Sequence, residues 1–143
     1  MASGEAIPFD PHETLGYALK RAQQAMRLHM DRQLKKIGLN APQYAVLASL
    51  EAEPGASNAM LARRAFVTPQ TMQSMLVKLE RAGLIERRAD ANHGRIQRTE
   101  LTEAGRSALA WAYEAAQRSE RLACDAAAPD AVAMLKRVAE ALG

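Results

Sequence analysis

Two sets of side chains in the middle of the sequence could contact nucleic acid. A glutamine can pair with an adenine edge through two hydrogen bonds, and a lysine can contact a phosphate. The first set combines such residues with small hydroxyl side chains in one stretch of helical pattern, namely Gln70, Thr71, Gln73, Ser74 and Lys78. The second set is Arg88 and Arg95, on either side of a short polar segment. Both sets fit a DNA surface, although an ordinary solvated face would carry similar residues.

The polar residues of the first set need a helix that carries them on one side. Thr68 and Pro69 form an N-cap followed by proline at the first helical position. Apolar residues follow at i, i+3, i+4 and i+7, and Gly83 is a helix stop signal. The spacing predicts a helix over 69–82 with an apolar side made of Met72, Met75, Leu76 and Leu79.

After this helix the pattern changes to two short extended segments, 84–88 and 95–101. The link between them contains Asp90, Asn92 and Gly94, which are typical of a hairpin loop. A preceding helix is predicted to begin near Ser57, whose hydroxyl caps it. This order predicts a helix-turn-helix followed by a basic β-hairpin, and we place the two cap residues, Ser57 and Thr68, among the candidate DNA contacts.

The composition predicts a mainly α-helical protein with a small β-hairpin. The chain has 30 Ala and 16 Leu but only 5 Val and 4 Ile, and Ala and Leu are the stronger helix formers. Helical patterns over 12–37, about 103–124 and 130–142 flank the centre. Aromatic residues make up 4% of the chain, which argues against binding by base stacking.

The positive charge is concentrated in the central third of the chain. The formal net charge is +3, but residues 61–108 hold nine Lys or Arg against five Asp or Glu, a net of +4. The rest of the chain therefore carries a net charge of −1. A local excess of this kind is where a nucleic-acid surface would be sought.

Four segments resemble the MarR family of bacterial transcriptional regulators: LNAPQYAVL (39–47), LARRAFVTPQTM (61–72), LERAGLIER (79–87) and LTEAGR (101–106). The resemblance implies a homodimer that binds pseudo-palindromic double-stranded DNA, usually as a repressor that a small molecule releases. The wing of the family commonly carries Asp-x-Arg-Arg, whose arginine enters the minor groove. Here the stretch is Asn92-His93-Gly94-Arg95, so Arg95 matches the second arginine and Gly94 replaces the first.

The resemblance divides the chain into a winged helix-turn-helix DNA-binding domain, 39–102, and a helical dimerisation region, 12–37 and 103–143. The central domain is too small to cover the apolar stripes of the outer helices, so we predict that these stripes form the dimer interface. They could instead belong to the core of one chain. The predicted interface residues are Leu109, Ala112, Ala116, Leu122, Val132, Leu135, Val138 and Leu142.

Regulators of this kind often bind small aromatic acids between the dimerisation helices and the DNA-binding part. By position, Met26, His29, Tyr44 and Trp111 could line such a pocket, although Met and aromatic residues at helix spacing are usually packing residues. Cys124 has no cluster of cations to stabilise a thiolate. Because it is the one cysteine and the three histidines are far apart, we expect no disulfide, metal site or cofactor.

The sequence carries none of the motifs of an enzyme that we would recognise, such as a phosphate-binding glycine loop, a nucleophile elbow or paired carboxylates. The alternative to a DNA-binding regulator is a dimeric winged-helix module that binds proteins, which should expose apolar residues where this chain has Arg88, Arg95 and Arg98. The longest uncharged stretch, 37–50, is too short to span a bilayer. With no signal peptide at the start, we expect a cytoplasmic protein without membrane contact.

Overall fold

The computed structural model describes residues 8–143 of the chain. This part contains six α-helices and a three-stranded antiparallel sheet. This confirms the prediction of a mainly helical fold. In chain order the elements are α1 Leu15–Leu34, α2 Ala41–Ala52, β1 Ala56–Ser57, α3 Asn58–Ala65, α4 Pro69–Arg81, β2 Ile85–Ala89, β3 Gln97–Leu101, α5 Glu103–Ala126 and α6 Ala131–Leu142.

Side-chain caps fix where the central helices begin. Asn40 and Gln43 form a reciprocal capping box at the start of α2. The hydroxyl of Thr68 accepts a hydrogen bond from Thr71 N at the start of α4, and Thr102 caps α5 in the same way. Each cap satisfies a backbone N–H that has no partner within the helix. The predicted starts of α4 at residue 69 and of α5 at about residue 103 are therefore confirmed.

The outer helices differ from their predicted limits by a few residues. α1 begins at Leu15, capped by Thr14, because the residues from Pro11 to Glu13 form a separate 3-10 turn. α5 continues to Ala126, slightly beyond the predicted end near Cys124. Alanine favours helical backbone, and the helix stops only where Ala127 becomes extended.

The sheet has one more strand than the predicted hairpin. β1 pairs with β3 through Ala56 opposite Thr99 and Ser57 opposite Arg98, and β2 pairs with the other edge of β3. The strand order is β1-β3-β2. A strand of two residues has no alternating pattern, so the sequence offered no sign of it.

One core holds the helices and the sheet together. The apolar side of α4 is buried as predicted through Met72, Leu76 and Leu79, while Met75 is half-buried. α1 contributes Met30 and Leu34, and α1 and α2 pack against α5 around the same core, while α4 packs against α3 and β2. Because the apolar side of α4 is fully used in this way, its opposite side faces solvent.

Close packing fixes the start of α5 against the turn between α4 and β2. The hydroxyl of Thr102 donates to the carbonyl of Gly83 at 2.6 Å, and Thr102 N donates to the carbonyl of Leu84 at 3.1 Å. At Gly105 a Cβ atom would lie 2.0 Å from the carbonyl oxygen of Leu84. Only glycine allows this approach, which links the long helix α5 directly to the base of the hairpin.

Part of the predicted dimer interface is wrong. Leu109 and Ala112 are fully buried within the single chain, where they pack against the common core. Ala116 and Val138 are half-buried, and the other four are exposed, including Leu122 at 60% and Leu142 at 85%. None of the residues of α6 is buried in its own chain. Among the helices of residues 8–143, none has the length and apolar character needed to cross a membrane.

Candidate nucleic-acid interface

The solvent-facing side of α4 carries all five polar residues singled out in that helix. Each of them is exposed, opposite the buried Met72, Leu76 and Leu79. Side chains three or four positions apart are neighbours on a helix, so they form one continuous surface. The residues of this surface, which we call the α4 polar face, are Gln70, Thr71, Gln73, Ser74 and Lys78.

The two predicted contact residues at helix starts are engaged in capping. Ser57 is half-buried, and its hydroxyl accepts a hydrogen bond from Met60 N at 3.3 Å. The hydroxyl of Thr68 accepts from Thr71 N and also donates to the hydroxyl of Thr71 at 3.0 Å. These bonds hold the first turns of α3 and α4, whose N-terminal N–H groups favour a nearby anion such as a phosphate.

Arg87 of β2 ties the wing to α4, and sequence reasoning missed it. Its guanidinium donates to both carboxylate oxygens of Glu80, at 3.1 and 3.4 Å, and to Gln73 Oε1 at 3.0 Å. The Arg87 side chain is only 10% exposed. Hydrogen bonding from Arg87 holds the pKa of Glu80 below its ordinary value. The available signal was strand alternation, which places Arg87 on the same face as the apolar Ile85, and a charge on a buried face needs partners.

Asp90 braces the loop of the wing, which comprises the seven residues 90–96 between β2 and β3. Its carboxylate accepts from Asn92 N at 2.8 Å and His93 N at 3.2 Å, and from Arg98 Nε at 2.7 Å. The N–H of Asn92 and then the Arg98 guanidinium lower the pKa of Asp90. Arg98, taken from the sequence as a basic wing residue, is therefore committed largely to this brace.

The two arginines predicted to contact DNA lie in different surroundings. Arg95 is exposed, and no ion pair joins its side chain to an acidic residue within the described part of the chain. Arg88 is also exposed, but its guanidinium donates to Glu86 Oε1 at 2.8 Å. The charge of Arg95 is thus more fully available to an anionic partner than that of Arg88.

A polar cleft of about 310 Å³ separates α4 from the wing. It brings together Gln73 from the α4 polar face and Arg95 from the wing, the two predicted contacts that share a site. Asn58 also lines it, and its Oδ1 atom is buried without a hydrogen-bond partner. Arg87 lies between the two sides, so the cleft is polar and basic.

A second, mainly apolar cleft of about 510 Å³ lies between α2 and α5. Tyr44 and Tyr113 meet there edge to face, with their ring centres 6.0 Å apart. Burial raises the pKa of both phenols, so both stay neutral at pH 7. Gln117, Glu120 and Arg121 complete its polar rim.

Of the four predicted ligand-binding residues, only Tyr44 lines this second cleft. The ring of His29 is hydrogen-bonded through Nδ1 to Ser119 Oγ at 2.7 Å. Trp111 packs against the core, and Met26 is 40% exposed on α1. Sequence reasoning missed Tyr113 and Arg121, because the pairing of α2 with the middle of α5 is not visible in a local pattern.

Cys124 has the properties expected of an unreactive thiol. It is exposed, and its thiol donates to Glu120 Oε1 at 3.5 Å. This bond, followed by burial and nearby acidic groups, raises the pKa of the thiol. A raised pKa disfavours the reactive thiolate. Within residues 8–143 no three His, Cys, Asp or Glu side chains gather into a cluster that could hold a metal.

The helix pair α3–α4 and the braced hairpin define a winged helix-turn-helix protein. A model described as the MarR family matches residues 37–96. The HTH-type transcriptional repressor Rv2887 of Mycobacterium tuberculosis (strain ATCC 25618 / H37Rv) is 43% identical over 105 residues, which cover 73% of this chain and 75% of that repressor. The chain belongs to the MarR family, whose members are regulators, and the prediction that it is not an enzyme is confirmed.

Solved structures extend this similarity to nearly the whole chain. The crystal structure of the Mycobacterium tuberculosis MarR family protein Rv2887 in complex with salicylic acid is similar with a TM-score of 0.68 and 33% identity, covering 97% of this chain and 98% of that one. The transcriptional repressor CouR bound to a 23-mer DNA duplex is similar with a TM-score of 0.83 and 29% identity, covering 96% and 100%. Both the fold and the family predicted from the sequence are confirmed.

Proposed function

We propose that the protein is a homodimeric repressor that binds pseudo-palindromic double-stranded DNA and is released by a small aromatic acid. In this proposal α4 enters the major groove and the wing contacts the adjacent minor groove or backbone. The observation that carries it is the shared cleft of Gln73 and Arg95. The hydrogen-bonding face of α4 and Arg95, which forms no ion pair in the described part of the chain, both border this cleft.

Charge and similarity both support DNA as the partner. The net charge of +4 over residues 61–108 belongs to the helix pair, the wing and the start of α5. Two copies would bring about +8 to one duplex, which favours association with phosphates. CouR, which is similar in structure over 96% of this chain, is bound to a DNA duplex. A repressor acts where the chromosome is, so we place the protein in the cytoplasm.

The exposed apolar residues of the outer helices support a dimer. A helix of 12 residues is marginally stable in water without packing, yet no residue of α6 is buried in its own chain. Leu122, Val132, Leu135 and Leu142 are all exposed on α5 and α6. We propose that a second copy covers them, with 12–37 and 103–143 as the dimerisation region and 39–102 as the DNA-binding domain.

The apolar cleft between α2 and α5 supports a small aromatic acid as effector. Tyr44 and Tyr113 offer ring faces and edges, and Arg121 at the rim offers a cation for a carboxylate. The relative Rv2887 was solved in complex with salicylic acid. α2 belongs to the DNA-binding domain and α5 to the dimerisation region. We propose that a ligand bound between these two helices shifts the DNA-binding domain relative to α5 and so releases DNA.

Selection of bound duplexes from a random DNA pool, repeated with salicylate, tests this function. We expect a consensus with two-fold symmetry and weaker recovery of that consensus when salicylate is present. The variant Arg121→Met should keep the consensus and lose the effect of salicylate. If no duplex is enriched, the DNA-binding proposal is wrong and the protein-binding alternative gains support. If enrichment is insensitive to salicylate and other phenolic acids, the effector part alone is wrong.

A further inference from the structure

We infer that Phe66, in the turn between α3 and α4, packs on the sugar–phosphate wall of the groove that α4 enters. Its ring covers deoxyribose carbons, and the guanidinium of the neighbouring Arg63 pairs with an adjoining phosphate. The inference rests on the proposed DNA binding and adds a contact that anchors α4 on the duplex without reading a base.

Phe66 has a backbone conformation that glycine adopts far more readily. Its φ is 55°, and it is the one residue other than glycine with a positive φ between residues 8 and 143. The chain uses Gly38, Gly55 and Gly83 for a positive φ after α1, α2 and α4. A bulky side chain is strained in this conformation, whereas glycine is not. The end of α3 therefore carries phenylalanine where folding alone favours glycine.

The ring of Phe66 stands clear of the rest of the described chain. The residue is 96% exposed, more than Leu142 near the end of the chain at 85%. Its backbone N–H is bonded to the carbonyls of Ala62 and Arg63, so the backbone holds the ring in this exposed position. An apolar side chain that stays in water contributes no burial to folding. Strain and exposure are both costs to the free chain, and contact with a partner would offset them.

The position of Phe66 next to α4 points to DNA as that partner. Phe66 precedes the capping residue Thr68 by two positions, so their Cα atoms are at most about 7.6 Å apart. The first turn of α4 is the part that we propose to enter the major groove. A helix with its side chains is about as wide as this groove, so residues that flank the first turn lie against the groove walls. These walls consist of the sugars and phosphates of the two strands.

Arg63 gives the same surface a charge that suits a phosphate. It lies in the last turn of α3, and its carbonyl accepts the N–H of Phe66 at 3.3 Å. Its side chain is exposed, and it belongs to none of the ion pairs within residues 8–143, whereas the adjacent Arg64 is paired with Glu53. An apolar ring beside an available cation matches the alternation of sugar and phosphate along a DNA strand.

Titration of a duplex selected with the unmodified chain, and of a duplex of unrelated sequence, tests the inference. Phe66→Gly should weaken binding to both by roughly five- to tenfold, because an apolar contact is lost. The slope of log affinity against log salt should stay unchanged, whereas Arg63→Met should lower it by about one unit. Phe66→Gly should be at least as stable in urea as the unmodified chain, since glycine accepts the positive φ. Phe66→Tyr keeps the ring and should bind within about twofold of the unmodified chain.

Phe9→Gly is the matched control, because it removes another ring, 81% exposed, from a segment outside the helix-turn-helix. It should leave the affinity unchanged. Full affinity of Phe66→Gly, an equal loss in Phe66→Tyr, or an unchanged salt slope in Arg63→Met would overturn the inference. So would a loss confined to the selected duplex, which would assign the ring to a base, or a Phe66→Gly chain that unfolds more readily, which would show that the ring packs within the chain. If the unmodified chain enriches no duplex, the proposed function fails, and this inference with it.

Discussion

Arg98 of β3 donates a hydrogen bond of 2.7 Å to the carboxylate of Asp90, the residue that follows the first strand of the wing. The same carboxylate accepts two backbone N–H groups from the loop. Asp90 therefore organises the segment that presents Arg95. In the wing sequence Gly94 stands where the family commonly has a first arginine, and here the loop is braced from its base.

Replacing Asp90 with alanine should loosen the wing without unfolding the protein. Two hydrogen bonds from the loop and one from Arg98 of β3 would be lost, and Arg95 would have to be ordered when DNA binds. We expect affinity for the selected duplex to fall several-fold, with faster amide hydrogen exchange over 90–97 and unchanged exchange in α4. Equal exchange in the two proteins would show that the carboxylate does not order the loop.

Acidic pH should weaken the two carboxylate contacts of the wing. Glu80 and Asp90 both have a lowered pKa in the folded protein, from ordinary values of 4.5 and 3.8. Their contributions to stability are therefore complete above those values and are lost as the pH falls through the lowered ones. The free energy of unfolding in urea, measured from pH 7 to pH 3, should fall less steeply for the double variant Glu80→Gln, Asp90→Asn. Identical slopes would contradict this assignment.

Arg95→Ala should weaken DNA binding on every sequence. The loss of one positive charge that contacts the groove or a phosphate lowers the slope of log affinity against log salt by about one unit. Arg32→Ala, at an exposed position of α1 outside the basic region, is the control and should leave the slope unchanged. Unchanged affinity of Arg95→Ala at several salt concentrations would remove Arg95 from the interface.

Gly105→Ala should destabilise the protein. The added Cβ would meet the Leu84 carbonyl at 2.0 Å, so the backbone of α5 or of the turn has to move. Overpacking of this kind costs about 1–3 kcal/mol, and a backbone contact is at the upper end. Gly94→Ala is the matched control, because no atom lies within 4 Å of its Cβ position. Equal stability of the two variants in thermal or urea unfolding would contradict the packing argument.

Local sequence signals predicted the helices and the polar face of α4. Caps such as Asn40 and Thr68 act within three residues of themselves, so their effect can be read from the chain. The helical repeat of Met72, Leu76 and Leu79 likewise identifies the buried side and, by exclusion, the exposed one. The caps and the change of pattern after Gly83 also predicted the order of helix pair and hairpin, which the fold confirms.

Contacts between distant segments could not be predicted in this way. The strand Ala56–Ser57 exists only because β3 is there to pair with it. The bond from Arg87 to Gln73 depends on how the wing folds back onto α4. Leu109 looked like an interface residue because its helical stripe is the same whether the partner is another chain or α2 of its own chain. Sequence periodicity identifies a buried side but not what buries it.

We propose that two copies of this chain bind one two-fold symmetric duplex. The most direct test is the mass of the complex formed by the full chain on the enriched duplex, measured by sedimentation equilibrium. We expect two chains per duplex, with half-sites about 10 base pairs apart, centre to centre. One chain per duplex on an asymmetric consensus, or no complex at all, would contradict the account.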